Sequence, residues 1–167
     1  MQSATSVDAL FNNDYNDYFN KDFTQTTIIS QGMIEYYHDY WEILHLIGYL
    51  YPEHPTYFQK VQIDILFDYM QKGGIPCSTC TSEFRKFLKQ NNLHQICRNR
   101  NNLKRFMIDL HNYVNENLRK EVLDYTQVDE LYHDLKYKCE RIESKYGFDI
   151  QELIEKGEVY SFIDYLN

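Results

Sequence analysis

The sequence predicts an all-α fold: a four-helix bundle plus a short fifth helix, flanked by N- and C-terminal extensions. Three observations carry this. Glycine and proline number only 6 and 3 in 167 residues, so long helices meet few breakers. Apolar residues recur at spacings of three and four along several segments. Few stretches alternate apolar and polar residues as half-buried strands do.

The first helix is expected over about 34–50, with Ile34, Tyr37, Trp41, Leu44 and Gly48 on one face and His45 beside it. Tyr51-Pro52 ends it, because a residue before proline avoids the helical region. The second starts near Pro55-Thr56, a suitable first turn. Its expected apolar face is Phe58, Val61, Ile65 and Tyr69, and Gly73-Gly74 stops it. The third opens at the cysteine pair after Pro76, with Cys80, Phe84, Phe87 and Leu88 on a stripe. The fourth has the cleanest pattern: Asn101 or Asn102 can cap it, and Leu103, Phe106, Met107, Leu110, His111, Val114 and Leu118 repeat at helical spacing. A shorter helix over 128–137 follows, then further pieces at 150–156 and 159–166. The expected division is an N-terminal extension (1–25), one domain (26–137) and a C-terminal helical extension (138–167).

Composition narrows the function classes. The 16% aromatic content argues against disorder, which goes with few rings. A net charge of −8 makes nonspecific nucleic-acid binding a poor candidate. The run Arg98, Arg100, Lys104, Arg105 reads as a solvated helix start. No segment reaches the apolar length of a membrane span. Residues 1–22 carry no apolar signal core and no basic residue before Lys21, which fits neither a secretory signal nor an Arg-rich presequence.

Four cysteines are too few for a disulfide-stapled scaffold, but Cys77 and Cys80 stand at C-x-x-C spacing. Such a pair closes a small disulfide ring. A cysteine near a helix N-terminus has its thiolate stabilised by the macrodipole and free N–H groups, which favours thiol–disulfide exchange. A zinc site is the weaker reading, because it needs two further ligands at suitable spacing. No metal ligand set is predicted. A thioredoxin-type motif needs a βαβ setting, absent from this pattern. Cys97 and Cys139 remain as a shuttle pair, a staple or two inert thiols, the last being the default. His45 and His111 sit on apolar faces, with Asn115 one turn beyond His111. Each is explained singly by core packing. Together they also fit a flat heteroaromatic ligand whose polar atoms would satisfy buried groups.

Taken in order from Trp41 to Tyr132, these residues resemble the Erv/ALR family of FAD-dependent sulfhydryl oxidases. Trp41-Glu42-Ile43-Leu44-His45 is similar to the family's W-x-x-L-H, and Tyr51 to Thr56 to its Y-P-E-x-P-T turn. Pro76-Cys77-x-x-Cys80 with Glu83-Phe84 is similar to its redox centre. His111 to Lys120 matches H-N-x-V-N-x-x-L-x-K, and Asp124 with Val128 to Tyr132 resembles the domain's end. The resemblance implies a helical bundle holding FAD in a pocket, in keeping with the absence of G-x-G-x-x-G. It implies Cys80 beside the flavin and Cys77 as the outer, substrate-facing sulfur. It implies FAD contacts from His38, Trp41, His45, His111, Asn112, Val114, Asn115, Lys120 and Tyr132.

The implied activity moves electrons from protein thiols, or from a thioredoxin-like carrier, through Cys77–Cys80 to FAD and then to oxygen, giving hydrogen peroxide. The implied assembly is a homodimer through the first two helices, with Tyr36, Tyr40 and Tyr57 as exposed interface rings. Tyr37 and His38 depart from the family's Gly-Arg, and Tyr132 from its Trp. Ile108 and Tyr125 stand where many members carry a structural disulfide. The missing bridge resembles the compact versions of large DNA viruses, which act in host cytoplasm; a cellular version would sit in the mitochondrial intermembrane space. The departures also motivate a competing reading, a non-catalytic helical interaction module with a degenerate flavin pocket.

Overall fold

The computed structural model describes residues 31–75 and 77–166, with side chains from Glu35 onward. The expected N-terminal extension at 1–25, and Pro76 of the cysteine motif, lie outside the described residues. Among the described residues every regular element is helical, as the sequence predicts.

Helix α1 (Gln31–Leu50) is the central element and packs mainly on α5 (Arg100–Asn117). Ile43, Leu44 and Ile47 of α1 and Leu103, Met107 and Leu110 of α5 are all buried in one core. Burying each such side chain contributes about 2 kcal/mol. Gly48 sets the closeness of this pair: a Cβ there would stand 3.0 Å from the Lys104 Cα. The start of α5 differs from expectation. Asn99 caps it, its side chain accepting from Asn102 N–H at 2.9 Å, so Asn101 and Asn102 lie inside the first turn.

Helix α2 (Tyr57–Tyr69) opens with a capping box between Thr56 and Gln59. The expected apolar face is the wrong one. Gln62, Ile63, Leu66 and Phe67 are buried, while Phe58 is 56% exposed, Tyr69 43% and Ile65 38%. The helix carries two apolar stripes. The stripe through Ile63, Leu66 and Phe67 joins the core, and the one bearing Tyr57 and Tyr69 stays exposed. A π turn (Met70–Gly74) continues α2 until Gly73, at φ 105°, breaks it.

Helix α3 (Ser78–Lys89) then starts at the cysteine pair and packs on the π turn and α5. A short α4 (Leu93–Ile96), capped by Asn92, was not expected; four residues leave no periodicity to read. The single helix expected over 128–137 is two, α6 (Tyr125–Leu131) and α7 (Leu135–Tyr146). Asp134 divides them by accepting from Tyr137 N–H at 3.0 Å, an N-cap inside a continuous apolar rhythm.

Beyond α7 come α8 (Ile150–Lys156), a 3₁₀ turn (Val159–Ser161) and α9 (Phe162–Leu166). Both α7 and α8 pack on α1, and the 3₁₀ turn packs on α2. Ile142, Phe148, Ile150, Phe162 and Ile163 belong to the same core as α1 and α5. Tyr40, expected as an exposed interface ring, is therefore buried: 3% of its surface is accessible, and its ring meets Phe162 edge-on at 5.5 Å. Among the described residues no helix is long and apolar enough to cross a membrane.

Candidate active site

The cysteine pair is placed by the turn that precedes it. Arg85 of α3 donates through Nε and Nη2 to the Gln71 carbonyl, tying α3 to the π turn. Cys77 is the N-cap residue of α3, and its Sγ accepts the Cys80 N–H at 3.2 Å. Cys77 and Cys80 form a disulfide with Cα atoms 5.2 Å apart. Thr81 holds the turn, donating from Oγ1 to the Cys77 carbonyl at 3.1 Å. Both sulfurs thus sit at a helix N-terminus, where negative charge on a released thiolate is stabilised.

Beside the pair opens a mostly apolar cleft. Cys80 lies on its wall; Cys77 does not. Helix α1 supplies Tyr37, Tyr40, Trp41 and Leu44, and α5 supplies Leu110, Val114 and Asn115. Leu118 and Lys120 close one side. Arg119, at φ 56°, turns the chain back after α5, and Asn115 fixes that return by donating from Nδ2 to the Glu121 carbonyl at 3.2 Å. Asn112 clamps the next stretch, donating to the Leu123 carbonyl at 2.7 Å and accepting from its N–H at 3.2 Å.

Behind this wall lies a ring cluster. Trp41 stacks on His111 at 4.2 Å and 5°. His111 Nδ1 and His45 Nε2 share one hydrogen bond at 2.9 Å. Burial, then the Lys138 charge, lowers His45 to about 3. Burial, with the charges of His45, Lys120 and His38 added, holds His111 well below its usual range. Both rings are neutral at physiological pH. That bond occupies one nitrogen of each ring, and among the described residues His45 Nδ1 is buried without a partner. Tyr132 lies against His45 at 5.3 Å and stacks on Tyr49 at 4.9 Å.

The residues predicted from sequence thus fall into layers. Trp41, Cys80, Val114, Asn115 and Lys120 line the cleft. His111 lies directly behind Trp41, with His45 and Tyr132 deeper. Asn112 shapes the adjoining loop, and His38 turns to Asp39, 3.6 Å away. Sequence reasoning missed Tyr37, Tyr40, Leu44, Met70, Ile75, Phe84, Leu110 and Leu118 as lining residues. The signal was partial: Tyr37 precedes Trp41 by one turn, and Leu110 precedes Val114 by one turn. Cys97 and Cys139 are both free, so no disulfide staple joins them. Burial, then Asp64, pushes the Cys97 thiol up to about 12; burial, then Asp149, Glu140 and Glu143, takes Cys139 to about 11. Such thiols hold almost no thiolate at neutral pH.

A family model described as the Erv1 / Alr family matches residues 38–133. The chain belongs to the Erv1/Alr family. It is 33% identical over 84 residues to a Saccharomyces cerevisiae protein named mitochondrial FAD-linked sulfhydryl oxidase ERV1, covering 50% of this chain and 43% of the relative. It is 26% identical over 107 residues to an Arabidopsis thaliana protein named FAD-linked sulfhydryl oxidase ERV1, covering 64% of this chain and 47% of the relative. The chain therefore spans less than half the length of these curated relatives. No solved structure matches it significantly. The Erv1/Alr match takes in most of α1, the cysteine pair, all cleft residues but Tyr37, and α6. Helices α7 to α9 lie beyond its end.

Proposed function

We propose that the chain is a flavin-linked thiol oxidase that forms disulfides in protein substrates and reduces oxygen to hydrogen peroxide. The observation that carries this is a closed Cys77–Cys80 disulfide with one sulfur, Cys80, on the wall of a mostly apolar cleft edged by Trp41, Asn115 and Lys120. FAD fits the residues present. The lining is apolar enough for a flat ring, and Asn115 and Lys120 supply polar and cationic groups for the polar part of the molecule. Trp41, His111, Val114, Asn115 and Lys120 are the residues that would hold it. When bound, FAD supplies an acceptor for two electrons and their route to oxygen.

The protein's own steps are two exchanges. A substrate thiolate attacks Cys77 Sγ; the Cys77–Cys80 bond breaks, and Cys80 leaves as a thiolate. A second substrate thiolate attacks the substrate sulfur of the mixed disulfide, and Cys77 leaves as a thiolate. The substrate gains a disulfide and loses two protons, and the chain holds two electrons. Cys77 is suited to attack because it lies off the cleft wall. Its N-cap position, with the Cys80 N–H directed at its sulfur, stabilises it as the second leaving group. The substrate class is a protein dithiol or a thioredoxin-like carrier.

Oxygen uptake on adding dithiothreitol, with hydrogen peroxide formed in equal amount, is the expected result. A flavin-free protein that consumes no oxygen even after incubation with FAD would refute the proposal. The competing reading, a non-catalytic module with a degenerate pocket, draws on His38, which turns to Asp39 rather than lining the cleft. The intact disulfide at the cleft favours the oxidase.

A homodimer is proposed through α2 rather than α1. The stripe Tyr57, Phe58, Ile65 and Tyr69 is exposed on α2, whereas the α1 face is covered within the chain. Light scattering is expected to return twice the chain mass; a single-chain mass would overturn this.

A further inference from the structure

We infer that residues 134–166, which lie beyond the family match, are a built-in brace that positions the α1 wall of the cleft. Helix α1 is used on two sides. Tyr37, Tyr40 and Trp41 face the cleft, while Asp39 and Glu42, 1% and 4% exposed, meet α7. Buried carboxylates are costly unless paired. Arg141 Nη2 reaches Asp39 Oδ1 at 2.9 Å, Lys145 Nζ and the Tyr146 hydroxyl each donate to Asp39 Oδ2 at 2.5 Å, and Lys138 Nζ reaches Glu42 Oε1 at 2.8 Å. Arg141 also pairs with Glu42 Oε2. His38, Asp39 and Glu42 form a group able to hold a metal ion, but these cations already occupy their oxygens.

A second contact comes from α9. Phe162 meets the Tyr40 ring at 5.5 Å, and the Tyr40 hydroxyl donates to the Gly74 carbonyl at 3.3 Å, on the turn that leads to the redox pair. Tyr40 therefore touches the cleft, the turn before Cys77 and the C-terminal segment at once. Residues 134–166 thus supply Lys138, Arg141, Lys145 and Tyr146 to two carboxylates on the reverse of Trp41's helix, and Phe162 to the back of Tyr40. The segment is a positioning element for the site.

Trp41 is the sole tryptophan, so fluorescence of the flavin-free protein reports directly on this wall. Two variants are compared with wild type well below their unfolding transitions: Phe162→Ala, and the double change Asp39→Asn with Glu42→Gln, which removes the pairs and leaves no buried anion. The brace predicts unchanged helical circular dichroism, red-shifted Trp41 emission and stronger acrylamide quenching in both. It also predicts an FAD dissociation constant raised about tenfold or more, an arm that rests on the thiol-oxidase reading. A segment that only adds stability would lower the melting temperature and leave Trp41 emission, quenching and FAD affinity as in wild type, and that result would overturn the inference. If Phe162→Ala fails to fold, the double variant decides alone. If wild type binds no FAD, the functional reading falls and the Trp41 comparison still decides the brace.

Discussion

Cys80→Ser is expected to reduce thiol-dependent oxygen consumption at least about a thousandfold, with FAD still bound. Cys80 is the sulfur of the pair on the cleft wall, and it leaves as a thiolate when substrate attacks Cys77. Serine at that position cannot form the disulfide, so no substrate electrons enter the chain. The fold should survive: Cys80 is partly exposed at the start of α3, and the buried contacts of that helix come from Thr81, Phe84 and Leu88. Cys139→Ser should leave turnover near the wild-type value, because that thiol is unpaired, lies off the cleft wall and stays protonated at neutral pH. Steady-state oxygen uptake checks both variants. Wild-type turnover in Cys80→Ser would mean that electrons reach oxygen by another route.

The second large effect is loss of stability in mild acid. Unfolded, His45 and His111 take up protons near pH 6.5. Folded, His45 is held at about 3 and His111 well below its usual range, so neither binds a proton until the pH is far lower. Below pH 6.5 the unfolded chain therefore binds more protons, and stability falls as pH falls; above pH 6.5 this effect vanishes. Each such group costs on the order of 1 kcal/mol per pH unit below its unfolded pKa, so two of them weigh against the stability of an ordinary domain. Asp39 acts in a lower window. Burial alone would raise its carboxyl, but hydrogen bonds from His38, Lys145, Tyr146 and Arg141 outweigh that and hold it far below its usual value. Its contribution is lost only below about pH 4, where the unfolded carboxyl protonates. Urea midpoints of the flavin-free protein between pH 7.5 and 5 should show the histidine slope, and His45→Gln should be less stable with about half that slope. A midpoint independent of pH in this range would contradict two buried neutral rings.

The elements legible in sequence were those with one dominant stripe. Helices α1, α3 and α5 each show a single apolar face, and the core forms where those faces meet. Helix α2 was read on the wrong side because its Phe58–Tyr69 and Ile63–Met70 stripes compete, and spacing alone does not say which one the bundle covers. The α6–α7 break was hidden because Asp134 interrupts the backbone without interrupting the apolar rhythm. In the site, Trp41, Cys80, Val114, Asn115 and Lys120 were legible because their order and spacing carry a family pattern. The two histidines, each explained singly by core packing and together also by a flat ligand, are joined by one hydrogen bond in the buried ring cluster. The docking of the C-terminal segment was invisible. Asp39 and Glu42 look like a solvated face of α1, and their partners Arg141 and Lys138 lie 102 and 96 residues further along.

The visible spectrum of the purified protein, recorded without oxygen before and after a dithiol is added, tests the central claim most directly. The account predicts a yellow protein whose absorbance bleaches on reduction through Cys77–Cys80 and returns when air is admitted. A colourless protein that gains no colour with FAD, or bound colour indifferent to the dithiol, would contradict it.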